Sequence, residues 1–148
     1  MHALLLGLLF TAFLPSQNNT QLYNGQCTVQ SHIAEGGVDE DLTKRRSRYF
    51  CDTAVISALN NDATHIMIQF GEKRAHHGTL LAFAGVTDKG ILDVERIYFE
   101  PEVPTFATDG ACRLFFENDH LTSIVCGAEI IEEERKTVVV VTFMVSKS

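Results

Sequence analysis

Residues 78–99 have the sequence GTLLAFAGVTDKGILDVERIYF, and this stretch decides the fold class. Its first part, Gly78–Gly85, is a short apolar run bounded by glycines, as expected for a buried strand. Its second part, Ile91–Phe99, alternates between two faces, which is typical of a strand with one face in a core. The TDKG sequence at 87–90 supplies turn residues between them. We therefore predict an antiparallel hairpin here.

The same strand signals recur along the rest of the chain. Regular spacing of short strands, without sustained helical periodicity after residue 17, predicts an all-β protein: an antiparallel small barrel or sandwich of about seven to eight strands. Alanines are frequent in Asp52–Asn60, so a helix is the main alternative to a strand in this segment. The other predicted strands are Thr28–Ile33, Tyr49–Leu59, Thr64–Phe70, Ala111–Phe116, Leu121–Ile131 and Thr137–Val145.

Three segments stand out against this pattern. Residues 18–26 are polar and are expected to be extended or frayed, and residues 35–48, with two glycines and many charges, are expected to form a long surface loop. The last strand, Thr137–Val145, is apolar on both faces. We therefore expect it to be central in a sheet or covered on both sides.

The N-terminus carries an apolar run, Ala3–Leu14, that Pro15 ends. A dozen residues are too few to span a bilayer as a helix but suit a signal peptide. We predict a signal peptide with a helical core over residues 1–17, followed by a single β domain over residues 18–148. A buried N-terminal helix and a retained membrane anchor remain alternatives. No later segment predicts a membrane span, so no membrane association is expected after signal removal.

The four cysteines behind this apolar run predict two disulfides and a secreted or periplasmic protein. A hairpin loop centred near Asp119 would place Cys112 opposite Cys126, which favours that bridge and leaves Cys27 to pair with Cys51. Bridges between distant strands remain the alternative. None of the spacings resembles a C-x-x-C zinc or redox motif.

The net charge of -7 disfavours binding to nucleic acid. A basic run within residues 44–48 follows the acidic residues 39–41, and we expect the two to offset each other on a surface loop. The alternative is a docking patch for an anionic partner. The basic side chains are Lys44, Arg45, Arg46 and Arg48.

Candidate site residues are few. His76 and His77 lie in a polar turn that follows the strand carrying His65, and these three could bind zinc or copper. A solvated turn is the plainer interpretation, because no further ligand completes a spacing motif. An aromatic pocket or ordinary core packing would account for the aromatic residues Tyr98, Phe99, Phe106, Phe115 and Phe116.

No catalytic motif is present, and no cofactor is predicted. We expect a non-enzymatic secreted or periplasmic β-domain that binds an unknown protein or small ligand through residues 35–48 and 100–110. One alternative is a small metal-dependent or hydrolytic enzyme that uses His65, His76 and His77. A second alternative is a carrier that holds a small hydrophobic ligand inside a hollow barrel.

Overall fold

The computed structural model describes residues 20–73 and 80–147, which form an all-β fold. The predicted signal peptide, residues 1–17, lies outside the described residues. Among the described residues, no helix is long and apolar enough to cross a membrane. In chain order the elements are β1 Thr20–Cys27, β2 His32–Gly37, a 3-10 helix Leu42–Arg45, β3 Arg46–Arg48, β4 Thr53–Leu59, β5 Asp62–Gly71, β6 Leu81–Asp88, β7 Ile91–Glu100, β8 Val103–Phe106, β9 Asp109–Glu117, β10 His120–Glu132 and β11 Arg135–Val145.

Eight of these strands close into an antiparallel barrel in the order β1, β4, β5, β6, β7, β9, β10, β11, with β11 pairing back to β1. The sequence predicts a small barrel or a sandwich, and the structure is the barrel. Strands β2 and β3 extend from β11, and β8 pairs with β7. Closure leaves the eight barrel strands without a long free edge.

Three tight turns connect neighbouring strands of the barrel. Both central residues have positive φ in Asn60–Asn61, Lys89–Gly90 and Asn118–Asp119, the conformation of a type I′ hairpin turn. Asn, Asp and Gly tolerate this conformation better than other residues do. The structure therefore confirms the hairpin predicted around TDKG and the one predicted around residues 117–119.

The barrel interior is packed with aromatic side chains. Phe70 lies at its centre, with its ring centroid 6.0 Å from that of Phe83 and 5.9 Å from that of Phe143. All three are buried. Gly25 on β1 makes room for Phe143, since a Cβ at that position would come within 2.6 Å of its ring.

Two disulfides join buried cysteines of this core. Cys112 and Cys126 are direct register partners on β9 and β10, and Cys27 at the end of β1 is bonded to Cys51 just before β4. These are the two bridges expected from the hairpin. Two disulfides indicate an oxidising environment, extracellular or periplasmic.

One local expectation was wrong. Residues 35–48 are not one long loop: they contain the end of β2, the 3-10 helix and β3, and buried Leu42 holds the helix against the sheet close to Gly36. Residues 53–59 form strand β4, within the predicted strand Tyr49–Leu59, and the competing helix does not form. The polar segment that was expected to be extended or frayed is extended from Thr20 onward as β1, which barrel closure recruits by pairing with both β4 and β11.

Strand β11 changes partner along its length. Residues 135–140 pair with β2, and residues 143–145 pair with β1. Between the two, the Thr142 N–H donates to Ser31 Oγ at 3.0 Å, and Ser31 Oγ donates to the Thr142 carbonyl at 3.2 Å. The Thr28 N–H also donates to the Thr142 carbonyl at 2.8 Å, so buried Ser31 is needed above all as the acceptor of the Thr142 N–H at the point where both strand partners are absent.

The outer face of β11 is not covered by another layer. Val139, Val141 and Phe143 are buried inside the barrel, whereas Val138 and Val140 point outward and are only half-buried. The strand is central, as expected, but a barrel has one interior and can bury only one of its faces. An apolar outer surface is the result.

Removing the Cys112–Cys126 bridge should lower the free energy of unfolding. We expect Cys112→Ala with Cys126→Ala to cost about 3 kcal/mol, because a loop of this length gains that much freedom in the unfolded chain. Urea unfolding followed by circular dichroism measures the change. An unfolding midpoint equal to that of the parent would contradict it.

Ser31→Ala should also destabilise the barrel. The variant leaves the Thr142 N–H without its acceptor in a buried place, which we expect to cost about 1–3 kcal/mol. The matched control is Ser47→Ala on β3, where the serine is exposed and the expected change is within about 0.5 kcal/mol. Equal effects of the two substitutions in urea unfolding would rule out the role given to Ser31.

Candidate functional site

Two rows of outward-facing residues cross six neighbouring strands, from β1 to β8. In the first row, successive register partners are Leu22, Val55, Gln69, Ala82, Tyr98 and Pro104. In the second row, two residues further along each strand, they are Thr20, Ser57, Met67, Ala84, Arg96 and Phe106. Together the rows make the outer face of this side of the barrel predominantly apolar.

A cleft runs between β5 and β7 on this face, and we call it the Tyr98 cleft. Its floor is β6, where Ala82 has a small side chain. Longer side chains of β5 and β7 form the walls, and the turn after β7 closes one end. The cleft has a volume of about 420 Å³. Its lining residues are Met67, Gln69, Leu80, Ala82, Tyr98, Pro101 and Glu102.

The cleft continues toward β4 and β1. A second depression of about 210 Å³ shares Gln69 and Leu80 with it and reaches Val55. Beyond Val55, its register partner Leu22 is 59% exposed. The concave surface is thus longer than the deepest part of the cleft.

Arg96 is held against the tyrosine that gives the cleft its name. Its Nη1 donates to Tyr98 Oη at 3.1 Å, and its Cζ lies 5.9 Å from the centroid of the Tyr98 ring. That hydrogen bond uses one of the five N–H donors of the guanidinium group. Phe106, the register partner of Arg96, is 73% exposed. An apolar group in the cleft would therefore lie beside a cation and two aromatic rings.

A bulge in β7 positions these residues. The register between β6 and β7 shifts at Gly85, where a Cβ would come within 1.8 Å of the Asp93 carbonyl. Beyond the bulge β7 leaves β9 and pairs with β8 instead. The Ala107 N–H donates to the Glu95 carbonyl at 2.9 Å and fixes the return of the chain. The change of partner carries Arg96 and Tyr98 away from the β9 side of the barrel.

The predicted metal ligands are only partly described. His65 is exposed on β5, with its Nδ1 2.7 Å from Asp62 Oδ2. His76 and His77 lie outside the described residues, so a metal site that includes them stays a prediction. Within residues 20–73 and 80–147, no three His, Cys, Asp or Glu side chains are grouped as metal ligands.

Asp62 organises the turn between β4 and β5. Its Oδ1 accepts from Thr64 Oγ1 at 2.7 Å and from the Thr64 N–H at 2.9 Å. These bonds, together with the one from His65, lower the pKa of Asp62 to about 2. The pair of Asp62 and His65 thus completes a hydrogen-bonded turn.

The five aromatic candidates do not form one pocket. Tyr98 lines the cleft and Phe106 lies beside it, but Phe99 packs against the core. Phe115 and Phe116 are exposed on the β9–β10 hairpin. Sequence reasoning missed Met67, Gln69, Ala82 and Arg96. Alternation placed Met67 and Gln69 opposite the core residues of their strand, but it placed Arg96 on the face of the buried residues Leu92 and Val94, and only the bulge in β7 turns Arg96 outward.

Replacing Thr64 should raise the pKa of Asp62. Thr64→Val removes the hydroxyl donor, so we expect this pKa to move from about 2 toward 3.8, as followed by NMR titration. Because folding lowers the pKa of Asp62, the ionised carboxylate stabilises the folded state at pH values above its ordinary pKa of 3.8. That stabilisation is lost as the pH falls through about 2. Asp52 is the control: its pKa is lowered mainly by Thr53 and should not change. An unchanged Asp62 pKa in Thr64→Val would contradict the assignment.

The described barrel and cleft are the basis on which function is assigned. Comparison of the chain with protein-family models, curated proteins and solved structures finds no match.

Proposed function

We propose that this chain is a secreted or periplasmic binding protein without catalytic chemistry, and that its Tyr98 cleft takes an apolar side chain of a protein partner. The observation that carries the proposal is the outward cleft itself: a floor of small β6 side chains between Met67 and Tyr98, with Arg96 at its edge. Concave apolar sites with a few placed polar groups are typical of ligand recognition.

The packing of the interior supports an outer site over a hollow carrier. A carrier barrel needs a lumen for its ligand, whereas in this barrel the buried ring of Phe70 contacts those of both Phe83 and Phe143. The same rings give the cleft a rigid support. Recognition on a rigid scaffold loses less conformational entropy than recognition by mobile loops.

The extent of the apolar surface favours a protein over a small molecule. The first row crosses six strands, which at about 4.8 Å per strand spacing is about 24 Å. Exposed Leu22 near one end and exposed Phe106 near the other lie outside the deepest part. A small ligand would fill the cleft and leave these side chains in water, whereas a protein segment could cover all of them.

Residue types along this surface are those that dominate protein interfaces. Tyrosine and arginine are enriched among residues with large effects on binding, and Tyr98 and Arg96 already hold each other in place. Arg96 would donate to a carbonyl or carboxylate that flanks the inserted apolar side chain. We therefore assign Tyr98 the role of anchor and Arg96 that of orienting donor.

Selection of peptides against the protein tests this function. A phage library of random linear peptides is panned on the parent protein alone, and the enriched peptides are then tested on Tyr98→Ala. We expect enriched peptides to share an apolar anchor and to shift the amide signals of Gln69, Ala82 and Tyr98 in NMR titrations. Tyr98→Ala should weaken their binding about 30-fold, which corresponds to a typical anchor residue worth about 2 kcal/mol.

Phe116→Ala is the matched control, because Phe116 is an exposed aromatic residue away from the cleft. It should leave the peptide affinity unchanged. Peptides that bind Tyr98→Ala as well as the parent, shifts that map to another surface, or a library that yields no specific binder would each count against the proposal.

A further inference from the structure

A second outer surface covers β3, β2, β11, β10 and β9, and we call it the polarised face. It also consists of two rows of register partners. The first row contains Arg48, His32, Val140, Gly127, Ala111 and, on β7, Asp93. The second row contains Arg46, Ala34, Val138, Glu129 and Asp109. In the order of strands around the barrel, this face lies roughly opposite the Tyr98 cleft.

Both rows have the same sequence of charges. Each begins with an arginine on β3 and ends with an aspartate on β9 or β7; between them the first row passes through His32 and then apolar or small residues, and the second passes through Ala34 and Val138 before Glu129 adds a second carboxylate to the acidic end. Arg46 and Asp109 are exposed at the two ends of the second row, as are Arg48 and Asp93 at the ends of the first. The face therefore has a basic end and an acidic end.

These terminal charges are available to a partner. Glu40 pairs with Arg45 at 2.7 Å, and that arginine is outside the rows. Arg48 donates to the Cys27 carbonyl at 3.1 Å and its Cζ lies 4.6 Å from the centroid of the Phe50 ring. Neither contact is with a carboxylate, so the positive charge of Arg48 is not neutralised by them. Arg46 lies near Asp41, whose pKa is lowered mainly by hydrogen bonds from Thr43 and in part by Arg46, but over residues 20–73 and 80–147 no ion pair joins Arg46 or Asp109 to another side chain within 4.0 Å.

The middle of the face is apolar and open. Val138 and Val140 on β11 are half-buried, and Gly127 beside them has nothing within 4 Å of where a Cβ would lie. A depression of about 460 Å³ extends from these residues over Ala111 and Ala128 to Asp109 and Glu129 at the acidic end. The apolar surface continues along the strands to Met144, which is 48% exposed.

We propose that two copies of the chain pair through their polarised faces about a two-fold axis that runs parallel to β11 and close to it. Such an axis reverses each row, so the basic end of one copy lies on the acidic end of the other, and the valines meet in the middle. An interface of this kind is self-complementary and closes after two copies.

Charge decides between a second copy and an unrelated partner. Two molecules that each carry a net charge of -7 repel at long range, so an arrangement in which unlike charges are opposed locally is favoured over one in which like charges meet. An acidic partner would be attracted by Arg46 and Arg48 but repelled by Asp93 and Asp109. The reversed second copy satisfies both ends at once, and for that reason it is the occupant that the charge pattern favours.

Charge reversal tests the pairing. Sedimentation velocity on the parent should show a monomer–dimer equilibrium that weakens with added salt. Arg46→Glu and Asp109→Lys should each raise the dimer dissociation constant at least about tenfold, because like charges then face each other twice. An equimolar mixture of the two variants should recover the parent affinity, because the exchanged charges match in the mixed dimer. Native mass spectrometry identifies that mixed dimer by its mass.

Two further variants complete the test: one is a control for the change in net charge, and the other obstructs the proposed interface with a larger side chain. Lys44→Glu changes the net charge as Arg46→Glu does but lies in the 3-10 helix outside the rows, and it should leave the dissociation constant within about twofold. Gly127→Leu should fold, because the added side chain enters open space, and should weaken the dimer. A parent that stays monomeric, a Lys44→Glu effect equal to that of Arg46→Glu, or a mixture that does not recover affinity would overturn the proposal.

The dimer and the Tyr98 cleft are separable in experiment. Gly127→Leu should not change the affinity for peptides selected against the cleft, and Tyr98→Ala should not change dimerisation. If each variant affected both properties, the two surfaces would not be distinct and the dimer proposal would fail with them.

Discussion

The exchange of hydrogen bonds between Ser31 and Thr142 lies at the point on which the rest of the barrel depends. There β11 has left β2 and has not yet reached β1: the Thr142 carbonyl accepts from the Thr28 N–H at 2.8 Å, but without Ser31 the Thr142 N–H would have no acceptor. The serine hydroxyl both accepts from Thr142 and donates to it. With that backbone satisfied, β11 can close the barrel on one side and carry the β2–β3 extension on the other.

A change of partner occurs a second time, in β7, and each change creates one of the two outer surfaces. In β7 the bulge lies opposite Gly85 of β6. Beyond it β7 no longer pairs with β9 but with β8, and Arg96 and Tyr98 lie on this part of the strand, beside the cleft. In β11 the change brings β2 and β3 alongside the valines and so places Arg46 and Arg48 on the same face. Both surfaces thus depend on a long strand, β7 or β11, that pairs with two different strands along one edge.

Local chemistry explains what could be predicted from the sequence. The turns at Lys89–Gly90 and Asn118–Asp119 need residues that tolerate positive φ, so their positions and the hairpin register are encoded nearby. The opposition of Cys112 and Cys126 follows from that register. Strand β1 was not recognised, because its polar residues form a strand only when β4 and β11 supply partners from far along the chain.

The cleft was beyond prediction for a related reason. Alternation tells which residues of a strand share a face, but it does not tell which strands are neighbours or where a bulge resets the alternation. Tyr98 and Met67 come together only because β6 lies between their strands, and Arg96 joins them only because β7 bends. Similarly, the segment that contains Arg46 has the composition of a loop, and its strand pairing depends on the distant β11.

The apolar outer face of β11 favours unspecific association. The charges at the ends of the two rows of the polarised face limit the orientations in which another molecule can cover it. Val138 and Val140 would attract any apolar surface, in any orientation. With an arginine at one end of each row and an aspartate at the other, a copy laid on in the same direction opposes like charges, whereas a reversed copy opposes unlike ones. The favoured arrangement is therefore also the one that closes after two molecules, so the pattern that permits association prevents open-ended assembly. In that dimer the two Tyr98 clefts face away from the interface, which would allow a partner with two matching segments to bind more tightly than either cleft could alone.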